Sequence, residues 1–242
     1  EGPGQRSYSD YVVTANGANG CYSGPPTHTC TCGGAEADCV APTMWTDQCG
    51  CAVNADRRGQ YLTVAGDLLV AQLTDVHAQW TAGAAYRTSF TADSVVAFEK
   101  ILTGMIVLSG FETGQERLQA ALDSGDREDE HSCFSDNTHR DMVQDVQGIK
   151  NVWDGAYGSV NGTGVHDVVA AIDPVLAETL NARINESLTL ANALQVPFEN
   201  EIAADNAEGN ARVLALVESL KTQETVLFDV FALFGLTVEI PE

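Results

Sequence analysis

The chain has 242 residues and a mass of 25.7 kDa, room for one large helical domain or two small ones. A hydrophobic content of 44% with 7% aromatics excludes a wholly disordered polymer. Twelve Lys+Arg against 34 Asp+Glu leave a formal charge of −22. A surface of that sign repels phosphate backbones and anionic lipid, so no nucleic-acid partner is expected, while cations are favoured. No apolar run approaches the roughly 20 residues that span a bilayer, so no transmembrane segment is expected either. The first residue is Glu1, without a methionine or a leader, which reads as a processed or partial product.

Residues 1–56 are rich in Gly, Pro, Thr and Asn and read as a loop segment. Six of the seven cysteines (Cys21, Cys30, Cys32, Cys39, Cys49 and Cys51) lie in it, within an insertion-like stretch at 21–51. Cys30-x-Cys32 and Cys49-x-Cys51 could be metal thiolates, but structural zinc sites space paired cysteines by about two to four residues. Disulfides that staple a segment with too little core are the favoured alternative, and they imply an oxidising, extracytoplasmic location. Cys133 is the odd thiol.

From position 57 to 242 the texture is that of a helical bundle. Leu62, Leu69, Leu73, Val76 and Trp80 recur at helical spacing, predicting a helix over 57–80. A second begins at Thr91-Ala92-Asp93 and carries apolar positions from Val95 to Leu122; Gly104, Gly110 and Gly114 within it suggest close packing or a kink. Asp123–Asp129 reads as a charged turn. A third helix is expected from near Asp136 to Trp153, with Ser135 or Asp136 as its cap. Asp173-Pro174 opens a fourth, running to about Pro197, and a fifth spans about 205–234. Without sustained period-two alternation, the fold class is all-α, an up-and-down bundle preceded by a disulfide-rich loop segment.

The densest polar constellation is Glu128 to Asp141, EDEHSCFSDNTHRD. Its carboxylates and two imidazoles suit a borderline or hard metal ion, with Glu130, His131, Asp136 and His139 as ligands. It matches no fixed metal signature, and a solvated acidic turn with a capped helix start is the competing reading. A second patch holds Ser109, Glu112, Glu116 and Arg117 on the second helix. Glu112 and Glu116 share a face and repel unless a cation such as Arg117 intervenes. His28, His77 and His166 look lone and unpartnered. No nucleophile elbow, P-loop or dinucleotide fingerprint is present.

The run GDREDEHSCFSDNTHRDMVQDVQGIKNVWDG (Gly125–Gly155) resembles the second signature block of the imelysin-like proteins of the bacterial cell envelope. GPGQRSYSDY near the start, NADRRGQYL at Asn54–Leu62 and ILTGMIVLSGFETGQERLQAALDSGD at Ile101–Asp126 echo the same family, whereas Cys21–Cys49 has no counterpart. The resemblance implies an exported, all-helical protein of two bundle-like halves with a site between them, associated with iron acquisition and sometimes catalogued as a metallopeptidase. The family's other signature, G-x-H-x-x-E, is not in this sequence, so the resemblance implies a partner N-terminal half of the same precursor. It also points to Ser135, Asn137, Ser109, Glu112, Glu116 and Arg117 as ligand-binding positions beside the metal-ligating set. The expected function is capture of iron or another di- or trivalent metal, or a small ligand, in the periplasm, at the outer membrane or outside the cell, with no organic cofactor. A structural or assembly role for the cysteine-rich insert is an alternative. A zinc peptidase is a further one, although His131 and His139 lie eight positions apart without a Glu in the usual place between them.

Overall fold

The computed structural model describes residues 55–133 and 137–236. The chain divides into two units, residues 1–89 and 90–242. The six paired-cysteine candidates, Cys21 to Cys51, lie outside the described residues.

In the first unit the described elements are α1 (Ala55–Trp80) and the short α2 (Ala85–Phe90), which ends one residue into the second unit. The predicted helix is present, and its described apolar side chains stay exposed, Leu62 at 74% and Leu69 at 59%. Trp80 and Tyr86 meet edge to face, and Arg87 donates to the Trp80 carbonyl, closing the turn between the two helices.

The second unit is built on four long helices. The first of them, α3, runs from Ser94 to Ser124. Asp93 caps it by accepting from the Val95 and Val96 amides, as the Thr91-Ala92-Asp93 signal predicts. α4 covers Thr138–Asp154, α6 Pro174–Ala193 and α8 Ala207–Leu233; the short α5 (Val165–Ala170) and α7 (Phe198–Ile202) fill the connections. Asp173 caps α6 through Val175 and Leu176, with Pro174 in the first turn.

Two apolar clusters show how the helices run. One gathers Leu102 and Ile106 from the start of α3, Ile149 and Trp153 from the end of α4, Leu180 and Ile184 from α6, and Leu227 and Phe231 from the end of α8. The other gathers Leu118 from late α3, Met142 and Val146 from early α4, Ala191 from late α6, and Val213 and Leu216 from early α8. Each helix therefore enters at the end where its predecessor left, which is up-down-up-down order. Between the clusters lies a buried polar layer. Ser187 and Ser219 hydroxyls are 2.9 Å apart; Ser109 donates to the Leu220 carbonyl at 3.0 Å and accepts from Gln223 Nε2 at 2.9 Å.

α3 departs from the expected kink. It stays continuous, but over Val107–Gln119 it widens to π-helical geometry, and the Thr113 hydroxyl bonds back to the Leu108 carbonyl five residues earlier. Such wide turns are rare and concentrate at functional sites. Close packing explains one of the glycines. A Cβ on Gly110 would collide with the Glu224 carboxylate, whereas one on Gly114 would make ordinary contact with Leu220 Cβ at 3.6 Å and Gly104 faces open space.

Two further expectations are corrected. α4 begins at Thr138 with Asn137 at the cap position, because the Asn137 amide turns to Asp141 and the Thr138 hydroxyl accepts from the Ser132 amide. Ser135 and Asp136, the predicted caps, lie outside the described residues. A two-stranded hairpin, β1 (Ala156–Tyr157) and β2 (Val160–Asn161), follows α4, turning through Gly158 at φ 57°. α3 is long and apolar enough, by length and composition alone, to cross a membrane; here Leu102, Met105, Ile106 and Leu118 are buried in the bundle.

Candidate functional site

The polar residues singled out from the sequence converge in part at one end of the bundle, where late α3 meets early α4. The loop after α3 turns through a single 3-10 turn at Arg127–Asp129, capped by Asp126, and brings His131 and Ser132 back over the first turns of α4. His131 Nδ1 lies 2.9 Å from Asp141 Oδ2, and Ser132 Oγ donates to the same oxygen. Asn137 Nδ2 donates to the other carboxylate oxygen at 2.8 Å. Asp141 is thus a hub that fixes the loop to the helix. Burial pushes its carboxyl up, but hydrogen bonds from Ser132, His131 and Asn137 outweigh that and hold it below the usual carboxylate value.

One turn along α4, Asp145 is half-buried and accepts from Thr113 Oγ1 at 3.3 Å, which ties α4 to the widened part of α3. Burial raises its pKa, offset in part by the charges of His131 and Arg117 and by the Thr113 hydroxyl. Arg117 pairs with Glu112 at 2.9 Å, both partly exposed. The expectation that a cation relieves Glu112 is met by this pair; Glu116 is exposed and outside it.

Other expected positions separate from this patch. Ser109 is fully buried, its hydroxyl bonded to Leu220 and Gln223 in the polar layer, so it is out of a ligand's reach. Glu130 is buried at 6% exposure. His139 sits in the first turn of α4, and its buried Nδ1 has no hydrogen-bond partner among the described residues. Asp136 and Ser135 lie outside the described residues. Among the described residues no three His, Cys, Asp or Glu side chains converge as a metal cage. His166, expected to be unpartnered, stands edge-on to Trp153 with Glu178 at 3.3 Å. A shallow depression along α6, lined by Pro174, Glu178 and Arg183, shares no residue with the patch.

Asp145, Thr113 and Gln223 went unrecognised in the sequence. The i,i+4 spacing of Asp141 and Asp145 was the available signal for the first of them. Nothing local signals Thr113 or Gln223, whose partners lie on other helices.

The chemistry open to this patch follows from the imidazole. His131 Nδ1 is held by a carboxylate on a partly exposed ring, the pairing by which a carboxylate orients a metal-binding histidine. It is not the arrangement of a nucleophilic triad, since Ser132 bonds the aspartate instead of the imidazole.

An all-α, up-and-down bundle with a carboxylate-oriented histidine at one end is the class so defined. The chain belongs to the imelysin family (peptidase M75), whose model matches residues 2–227. That span takes in both the opening GPGQRSYSDY and the cysteine-rich stretch. None of the curated proteins compared with the chain matches it.

Proposed function

We propose that this imelysin-family protein is a non-catalytic binding protein that captures a metal ion, iron first among candidates, for uptake by an envelope-bearing bacterium. The observation that carries this reading is the His131–Asp141 pair at 2.9 Å on a partly exposed imidazole. Asp145, and His139 Nδ1, which has no hydrogen-bond partner among the described residues, supply further donor chemistry nearby in the sequence. Export to the periplasm, the outer membrane or beyond is part of the same proposal, supported by the cysteine-rich stretch. So is a separate polypeptide or half bearing G-x-H-x-x-E that completes the site.

Equilibrium dialysis against Fe(II) under anaerobic conditions, and against Zn(II), tests it. His131→Ala should abolish binding, and Asp141→Asn should weaken it by about 10–100-fold through loss of the oriented tautomer. Both variants should keep the helical circular dichroism of the parent. Wild-type affinity in both would remove the patch as the metal site. Hydrolysis of unfolded casein that stops on chelation would instead support the peptidase reading.

A further inference from the structure

We infer that α1 is the contact through which two copies of this chain pair, antiparallel, along the stripe Leu62, Gly66, Leu69, Leu73, Val76 and Trp80. Every residue from 60 to 80 is exposed. At about 100° per residue these six positions fall on one line along the helix, about 27 Å long, and five of them are large apolar side chains. A helix normally buries such a stripe against a neighbour, and an exposed one marks an interaction surface. Trp80, at its end, is steadied edge to face by Tyr86.

Charge points to the occupant. Between 60 and 80 the only carboxylates are Asp67 and Asp75, each about 140° around the helix from the stripe, on its far side. The borders of the stripe are Thr63, Gln72 and Gln79, with His77 as the titratable group beside it. A basic partner would be steered by acidic borders, which this face lacks. A second copy has the opposite need. In a chain of net charge −22 it requires a face on which carboxylates stay apart, and α1 provides one.

Spacing sets the arrangement. The intervals along the stripe, 4-3-4-3-4, read the same in both directions, as a twofold contact requires. Antiparallel pairing about its midpoint sets Leu62 level with the other copy's Trp80 and Leu69 with its Leu73. It sets Gly66 level with Val76, large against small, and Gly66 has open space where a Cβ would stand. The two chains then leave Trp80 at opposite ends of the pair, which separates residues 90–242 with most of the 34 Asp and Glu. The stripe with its borders offers roughly 500 Å² per copy, so the total of about 1,000 Å² is at the low end for a specific interface. A dimer in the micromolar range follows.

Sedimentation equilibrium of the whole chain from about 1 to 300 µM tests the pairing, with a monomer–dimer equilibrium expected within that range. Raising NaCl to about 0.5 M should tighten it, because screening relieves repulsion between two acidic chains. Leu69→Glu should weaken it by about tenfold or more, since a carboxylate would enter the apolar contact. Leu68→Glu adds the same charge one residue away, and Leu68 is 57% exposed against 59% for Leu69, but it lies off the stripe and should leave the dimer unchanged. Both variants should keep the parent's helical circular dichroism. A photocrosslinker placed at position 62 should label the other copy near Trp80. A monomer at every concentration overturns the inference, and so do equal effects of the two variants. Crosslinks that return to position 62 overturn it by making the copies parallel. Co-sedimentation with phosphatidylcholine vesicles that Leu69→Glu abolishes also overturns it, by making the occupant a lipid surface.

Discussion

Asp141 and Asp145 are one helical turn apart yet are pushed in opposite directions. Asp141 gathers donors from a serine, a histidine and an asparagine, which outweigh its burial; Asp145 has one hydroxyl and more burial. The difference has a consequence for stability. The folded-state pKa of Asp145 lies above 3.8, so the folded protein keeps a proton that the unfolded chain has released. Stability therefore falls as pH rises through that window. Glu224, raised by its burial against Gly110 and only partly relieved by Lys221, adds a slope of the same sign. Asp145→Asn keeps an acceptor for Thr113 and removes the ionisation. We expect urea unfolding of this variant to depend less on pH between about 4 and 7, with stability at neutral pH equal to or above the parent's. An unchanged slope would show that Asp145 does not titrate differently on folding.

Among the elements, the α4–hairpin–α5 corner is where backbone shape decides most. Gly155 has φ 66°, and a Cβ there would sit 2.5 Å from the Gly164 nitrogen; a Cβ on Gly164 would collide with the Trp153 carbonyl and crowd the Asp154 and Gly155 backbone. Neither neighbour can swing aside, because all are main chain. Gly148, inside α4, has nothing within 4 Å of its missing Cβ. Gly148→Ala should stabilise the protein by about 0.5–1 kcal/mol through helix propensity. Gly164→Ala should destabilise it by about 2 kcal/mol or more, the range of enforced backbone strain and overpacking. Paired thermal melts of the two variants decide the matter, and equal shifts would contradict the close approach. The widened stretch of α3 belongs to this scale as well. It faces α8 through Gly110 and Gly114 and α4 through Thr113, so a single helix turns small residues to one neighbour and a hydroxyl to another.

For the whole molecule the dominant quantity is charge. At −22 the folded surface repels itself, and the ion pairs available to offset this are few because only 12 Lys and Arg exist. Raising NaCl from about 0.02 M to about 0.5 M shortens the screening length below the spacing of most surface charges. A stabilisation of about 1 kcal/mol is expected, which moves Tm upward by about 2–4 °C at this chain length. A Tm that falls with salt would mean that favourable local pairs, such as Arg117–Glu112 and Lys150–Asp154, outweigh the net repulsion. The bundle itself is held by two apolar clusters separated by a layer of serine, threonine and glutamine, where each hydrogen bond joins different helices or different turns. Such a layer is satisfied in only one alignment, which penalises sliding of α3 or α6 along α8.

Sequence alone determined the helical class, the long helices to within a few residues at their ends, and the caps at Asp93 and Asp173, because these depend on spacing and on side chains reaching two or three residues ahead. It also picked out the His131 loop and the Glu112–Arg117 pair, both local in the chain, and the family to which they belong. What it could not decide was which of these residues meet. Ser109 carries the same hydroxyl as Ser132, yet one is sealed between α3 and α8 and the other bonds Asp141 at the surface. Asp145 and Thr113 matter only because antiparallel helices set them side by side, and Gln223 only because α8 returns past α3. Residues 32 and 114 positions apart in the chain become neighbours through packing, and no periodicity along a single helix encodes that distance.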